Sequence, residues 1–156
     1  MDFKIRFAQP SDTSKMMLLI HELAAYEKEP DAVEIDENYL KKYGFGDLKA
    51  FDCLVAETSS GEIAGMALFY NRFSTWKGLT IHLEDLIVKE EKRKKGIGKA
   101  LFEALINYAK TKKVNRLEWV VLDWNTPAIN FYESYGAKVF QEWRTVQMDK
   151  DMIQKF

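Results

Sequence analysis

The run Arg93-Lys94-Lys95-Gly96-Ile97-Gly98 separates a strand-like stretch, Leu79 to Val88, from a helical one, about Ile97 to Lys113. Paired glycines let a backbone turn sharply and let a ligand approach it closely. A helix that starts there offers unpaired N–H groups and the positive end of its dipole, which suits a phosphate. Three phosphate-binding patterns compete for the stretch. A P-loop needs G-x-x-x-x-G-K-[ST]. Arg93 stands five residues before Gly98 and Ala100 follows Lys99, so that pattern fails. A dinucleotide fingerprint needs G-x-G-x-x-G. Gly96 and Gly98 fit it, but Leu101 takes the third glycine's place and the preceding strands look antiparallel. The pattern [QR]-x-x-G-x-[GA] fits at Arg93, Gly96 and Gly98, with Lys94, Lys95 and Lys99 adding charge for phosphate oxygens. Taken alone, the stretch reads equally as a solvated lysine run with a glycine hinge.

The order of elements narrows the choice. Phe3, Ile5 and Phe7 alternate with Lys4 and Arg6, as on a half-buried strand. Ser11 or Asp12 is placed to cap a helix whose apolar stripe is Met16, Leu19, Ile20 and Leu23. A short helix is expected from Asp36 to Tyr43, closed by a left-handed Gly44. Phe51 to Thr58 and Ile63 to Tyr70 read as antiparallel strands joined at Ser59-Ser60-Gly61-Glu62. After the long helix, with its stripe Ile97, Leu101, Ala104, Leu105 and Tyr108, Leu117 to Leu122 reads as a strand. Pro127 suits the first position of a helix reaching about Tyr135. Val139 to Glu142 and Arg144 to Lys150 are expected to close the sheet, and a short helix to end the chain. Alternating strands and helices without a linker or repeat predict one α/β domain over residues 1–156.

Composition removes several functions. The net charge is −1, so the basic excess usual in nucleic-acid-binding proteins is absent. The only cysteine, Cys53, cannot form an internal disulfide and is expected to be buried. No apolar run approaches the roughly 20 residues of a membrane span, and Met1 to Phe7 lacks the pattern of a signal peptide. The expected location is cytoplasmic. No His, Cys and carboxylate cluster has metal-ligand spacing. His21 is expected on a helix surface, and His82 reads as a structural strand residue.

Further motifs agree with one another. They include Ile5-Arg6, Glu22-Leu23-Ala24 with Tyr26-Glu27, Gly44-Phe45-Gly46, Leu54-Val55-Ala56-Glu57 and Leu83-Glu84-Asp85. Downstream stand Trp124-Asn125-x-Pro127-x-Ile129-Asn130-Phe131-Tyr132 and Gly136-Ala137. On these residues the chain resembles the GNAT superfamily of N-acetyltransferases and, within it, the diamine (spermidine/spermine) acetyltransferases, over nearly its whole length. The resemblance implies an α/β (mixed α+β) acyl-CoA N-acyltransferase fold, its central sheet mixed but mostly antiparallel and flanked by helices. It implies acetyl-CoA as co-substrate, no metal, a small-molecule amine as acceptor and a homodimer, with neither nucleic acid nor membrane as a partner.

Acetyl transfer to an amine requires removal of a proton from the ammonium, polarisation of the thioester carbonyl and protonation of the departing thiolate. The resemblance implies Tyr132 as the acid and Glu84 as the base, directly or through a water, with Asp85 either the working carboxylate in its place or a structural hydrogen-bond acceptor. Leu83 and Asp85 are expected on one face of their strand, and His82, Glu84 and Leu86 on the other. A carboxylate inside an apolar strand is costly unless paired or functional. The backbone of Leu86, Ile87 and Val88 would hold the pantetheine arm in a slot beside a splayed neighbouring strand. Asn125 and Ala128 would bracket that arm, and Arg93, Lys94, Lys95, Gly96, Ile97, Gly98 and Lys99 would cradle the pyrophosphate. A cationic amine would be met by Tyr26, Glu27, Trp76, Glu84, Asp85, Asp123, Trp124 and Glu142, since aromatic faces attract ammonium groups. Two departures from the polyamine enzymes bear on the amine: Ser74-Thr75 replaces an acid ahead of Trp76, and the Ser59 to Glu62 hairpin is shorter. Alternative acceptors are a thialysine-like amino acid or a protein amine. The rival outside enzymes is a non-catalytic acyl-CoA-binding module, which Glu84 and Tyr132 together argue against.

Overall fold

A computed structural model describes residues 2–156, which form two compact units, one ending at Val120 and the other spanning Val121–Phe156. The first unit is built on one five-stranded sheet. Its strands, β1 (Phe3–Phe7), β2 (Asp52–Thr58), β3 (Ile63–Ser74), β4 (Gly78–Val88) and β5 (Arg116–Glu118), lie side by side in chain order. Neighbours from β1 to β4 are antiparallel, and β5 runs parallel to β4. The parallel pair needs a crossover, which the helix α3 (Ile97–Thr111) supplies. The mixed, mostly antiparallel sheet expected from the sequence is the one found.

Local chemistry explains the turns. Between β2 and β3, Thr58 and Gly61 close the loop: the Gly61 N–H donates to the Thr58 carbonyl, and the Thr58 N–H donates to the Glu62 carbonyl. The helix α1 (Thr13–Tyr26) buries Met16 and Leu19 completely and packs with α2 (Glu37–Phe45) over Cys53, Val55, Met66, Leu68 and Ile87. The helix α3 buries Ile97, Leu101, Phe102 and Leu105, and its Tyr108 ring meets Phe7 and Phe69 at 5.6 and 5.2 Å. Asp12 precedes α1 but does not cap it with its side chain. Its carboxylate accepts from the Gln9 N–H at 2.8 Å and from Arg6 Nη1 at 2.7 Å, while Arg6 Nε reaches Glu57 at 2.9 Å. Asp36 caps α2 by accepting from the Tyr39 N–H. Gly44 does not close α2. It lies inside the helix, where a Cβ would stand 2.5 Å from the Phe51 ring, so the residue is small because Phe51 packs there.

Three strand expectations are corrected. The stretch Leu117 to Leu122 forms a strand only over Arg116–Glu118, because pairing with β4 stops at His82↔Glu118. Val139 to Glu142 and Arg144 to Lys150 form no strand. Period-two patterning says which face a strand would bury, but a strand also needs a ladder partner, and apolar residues such as Trp143 and Val146 stay exposed. The second unit holds the helix α4 (Thr126–Glu133) and a closing turn of helix, α5 (Lys150–Ile153). No helix among the described residues is long and apolar enough to cross a membrane.

Candidate active site

The strand β4 carries a β-bulge beside its two adjacent acids. Leu68 pairs with Asp85 and Phe69 with Leu83, which leaves Glu84 as the extra residue on β4. Bulges bend a strand and re-aim side chains. Strict alternation is therefore broken at this point. Leu83 pairs with Phe69, whose ring packs on Tyr108 of α3, whereas Asp85 pairs with Leu68, part of the core under α1 and α2. The expectation that Leu83 and Asp85 share a face is corrected by the inserted residue. His82 pairs with Tyr70, on the side where Glu84 also turns: His82 Nε2 lies 3.7 Å from Glu84 Oε2.

The two adjacent acids sit in different environments. The Glu84 side chain is 52% exposed. Asp85 is largely withdrawn from water. Burial, then the charges of Glu84 and Glu27, push its carboxyl up to about 7. Glu27, just past the end of α1, is also raised, by burial. Among the described residues no lysine or arginine pairs with Glu84 or Asp85. The site thus gathers negative charge without a resident cation.

Next to it, β4 leads through a short 3-10 turn, Glu90–Lys92, into the glycine stretch. Gly96 precedes α3 with φ 82°, a left-handed conformation that favours glycine. Gly98 is different. A Cβ there would meet only Val88 Cγ2, at an ordinary 3.6 Å, so the chain's own packing does not require a glycine. A ligand lying close over the start of α3 would. The basic side chains divide their work. Arg93 stacks over the Tyr26 ring at 4.9 Å, donates from Nε to the Val88 carbonyl at 3.0 Å and approaches Glu22 at 3.9 Å, which ties the turn to α1 and β4. Lys95 donates to the Glu91 carbonyl, and Lys99 lies 3.9 Å from Glu103. Lys94, with φ 60°, is exposed. The Ile87 side chain is buried in the core and those of Leu86 and Val88 are half-buried, so what these residues can offer a ligand is backbone.

In the second unit, Asn125 caps α4 by accepting from the Ala128 N–H at 3.4 Å. Tyr132 is buried and packs edge-on against Phe131 at 5.3 Å. Asp123, Trp124 and Glu142 are exposed. Trp76 is not brought to the carboxylates. It lies, 79% exposed, in the β3–β4 turn, while Glu84 is six residues up β4 from Gly78, or about 20 Å. Cys53 is buried, and burial drives its thiol well above its ordinary value, so it is not a nucleophile.

One cluster has no counterpart in the sequence motifs. The Tyr70 ring stacks on His82 at 5.2 Å, His82 lies between Glu84 and Glu118, and Glu118 is gripped by Arg72 at 2.6 Å and Arg116 at 2.7 Å. Only the β3–β4–β5 register brings these residues together.

Comparisons with known proteins bear on the family and the fold. The sequence profile of the Acetyltransferase (GNAT) family matches residues 16–137. Thialysine N-epsilon-acetyltransferase of Bos taurus is 41% identical over 145 residues, covering 88% of this chain and 85% of that protein. Spermidine/spermine N(1)-acetyltransferase-like protein 1 of Homo sapiens is 37% identical over 141 residues, covering 86% of this chain and 20% of that longer protein. An integron cassette protein from the mobile metagenome of V. cholerae shares the fold, with a TM-score of 0.80 at 24% identity over 99% of this chain and 97% of that one. With the profile spanning most of the chain and named N-acetyltransferases aligned along nearly all of it, the chain belongs to the GNAT family and is an acetyl-CoA-dependent N-acetyltransferase.

Proposed function

We propose that the protein moves an acetyl group directly from acetyl-CoA to a primary amine of a small cationic molecule of the diamine or polyamine type. The observation that carries this reading is the bulge on β4, which sets an exposed Glu84 beside a half-buried Asp85 that also feels the charge of Glu27, with no lysine or arginine among the described residues paired to Glu84 or Asp85. An ammonium group is the natural complement. Tyr26, next to Glu27 at the end of α1, already carries the Arg93 guanidinium on its ring at 4.9 Å, which shows that this ring takes a cation.

In this reading Glu84 takes a proton from the substrate ammonium, directly or through one water. The freed nitrogen attacks the thioester carbonyl. A backbone N–H of Leu86 to Val88 steadies the developing oxyanion, the N–C bond forms and the C–S bond breaks. Tyr132 gives its phenol proton to the departing thiolate and is reprotonated afterwards. Gly96, Gly98 and the N–H groups opening α3 hold the pyrophosphate, with Lys94, Lys95 and Lys99 supplying charge. Arg93 acts on the turn itself, through Tyr26 and Val88. Asn125 and Ala128 flank the pantetheine arm. Asp123, Trp124 and Glu142 are further candidates to meet the amine, whereas Trp76, in the β3–β4 turn, lies too far from Glu84 to take part.

A thialysine-like amino acid is the second acceptor. Ser74-Thr75 ahead of Trp76, in place of an acid, and the 41% identity to a protein named thialysine N-epsilon-acetyltransferase favour it. The test is release of free CoA from acetyl-CoA with spermidine, putrescine, lysine, thialysine and a lysine peptide offered separately. Turnover with a small cationic amine and none with the peptide is expected. Silence across the whole panel would remove the proposal. Tyr132→Phe should lower the transfer rate by about 100-fold with acetyl-CoA binding retained.

A further inference from the structure

The Glu84 carboxylate has neighbours that a solvated base would not need. His82 Nε2 lies 3.7 Å from Glu84 Oε2, and His82 Nδ1 lies 3.9 Å from Glu118 Oε1. The imidazole is thus strung between two carboxylates on adjacent strands. Its side chain is 12% exposed, and Nδ1 is buried without a hydrogen-bond partner. A histidine kept only for packing would have its buried nitrogen satisfied. The ring is also held in one plane, because Tyr70 stacks on it with 25° between the rings, while burial and then the Glu84 carboxylate keep the Tyr70 phenol protonated. At the far end Glu118 forms ion pairs with Arg72 at 2.6 Å and Arg116 at 2.7 Å, though Glu118 Oε1 and Arg116 Nε, like His82 Nδ1, have no aligned hydrogen-bond partner among the described residues. Both gaps are longer than a hydrogen bond. One water, or the small closure that accompanies substrate binding, spans such a distance.

We propose that His82 is a positioning and relay residue for Glu84, which drains the amine's proton away from the reacting nitrogen toward Glu118. The inference rests on Glu84 being the base. The proton passes from the substrate nitrogen to the Glu84 carboxylate and then to His82 Nε2, which restores Glu84 as a carboxylate. The resulting imidazolium is held between Glu84 and Glu118 and returns its proton to water when product leaves. Glu118, fixed by two guanidinium groups, orients Nδ1–H as a carboxylate orients the imidazole of other proton-transfer sites. Around the ring, β3 presents Tyr70 and Arg72, β4 presents Glu84, and β5 presents Arg116 and Glu118. The pushed-up Tyr70 phenol, at about 12, keeps its proton for Glu84 throughout the neutral range.

The test uses the full chain with acetyl-CoA and with spermidine and thialysine as acceptors, kcat/KM being followed from pH 6 to pH 10. His82→Phe keeps the stack on Tyr70 and removes both nitrogens, and His82→Gln keeps a polar group there. Both should lose about 10-fold to 100-fold at pH 7. The loss should shrink to less than about 3-fold as pH rises toward the amine's own value of roughly 10, where the amine arrives unprotonated. Glu118→Gln should give the same pH signature, smaller, and Glu84→Gln the same signature, larger. Acetyl-CoA binding and the melting temperature report folding. If His82→Phe does not fold, His82→Gln and Glu118→Gln carry the test. A His82 loss that is flat with pH, while the Glu84→Gln loss still shrinks, overturns the relay and leaves the base in place. If the Glu84→Gln loss is flat as well, the assignment of Glu84 as base fails and the relay falls with it.

Discussion

Asp12, beside β1, and Asp85, on β4, are both withdrawn from water, and the chain treats them in opposite ways. Burial alone would push Asp12 up, but hydrogen bonds from Arg6 and from the Gln9 N–H outweigh it and hold the carboxyl below its ordinary value. Asp85 meets only burial and two further acids, and is pushed up to about 7. The first arrangement locks β1, β2 and the start of α1 together. The second leaves unbalanced negative charge next to Glu84. A buried carboxylate that has been given a guanidinium is architecture; one that has been denied a cation is available to an arriving one.

Removing the guanidinium from the first region should have the largest effect. Arg6→Met leaves Asp12, 3% exposed, as an uncompensated buried acid and should cost about 3 to 5 kcal/mol in urea unfolding. The remaining folded enzyme should keep its turnover. Arg6 also governs acid stability. Asp12 and Glu57 are both depressed, Glu57 to about 2 by hydrogen bonds from Arg6 and Lys4, so the stability they contribute is present above their unfolded values. It is lost as pH falls from about 4.5 toward 2, and the Arg6→Met melting curve should be flatter over that window.

The second region should respond with the opposite sign. Asp85 has a raised value, so the folded state holds its proton between the ordinary 3.8 and about 7, and stability falls as pH rises through that window. Asp85→Asn should therefore stabilise the protein by roughly 2 to 4 kcal/mol at pH 8, and by nothing near pH 4. It should also weaken amine use, which shows as a higher KM for the amine.

Much of this was legible in the sequence. The first four strands, α1 and α3 follow from apolar spacing, and the glycine turn follows from its motif and its place between strand and helix. The bulge was not legible. The two adjacent acids in Leu83-Glu84-Asp85-Leu86 interrupt the alternation without saying which residue is extra, and only pairing with Leu68 and Phe69 shows that it is Glu84. The grouping of Tyr70, His82 and Glu118 was not legible for the same reason, since cross-strand neighbours depend on a register that composition does not carry. The strand expected at Leu117 to Leu122 and those expected at Val139 to Glu142 and Arg144 to Lys150 had the right alternation but lacked a ladder partner.

Two glycines sharpen the contrast at a smaller scale. Gly65 is fixed by architecture, because a Cβ there would stand 2.7 Å from the Ile87 carbonyl oxygen. Gly98 has room. Gly65→Ala should destabilise the sheet, whereas Gly98→Ala should shift stability by less than about 1 kcal/mol and raise the KM for acetyl-CoA by about 10-fold, or roughly 1.4 kcal/mol of lost binding. A Gly98→Ala enzyme with unchanged acetyl-CoA kinetics would move the pyrophosphate away from the start of α3.

The most direct measurement is a carboxyl 13C NMR titration of Asp12 and Asp85 in the same sample, with and without saturating spermidine or thialysine. Asp12 should titrate below 3.8 and ignore the amine, while Asp85 should titrate near 7 and move downward when the ammonium arrives. An Asp85 that titrates at its ordinary value, or that does not move with either amine, would contradict the placing of the cation beside the bulge on β4.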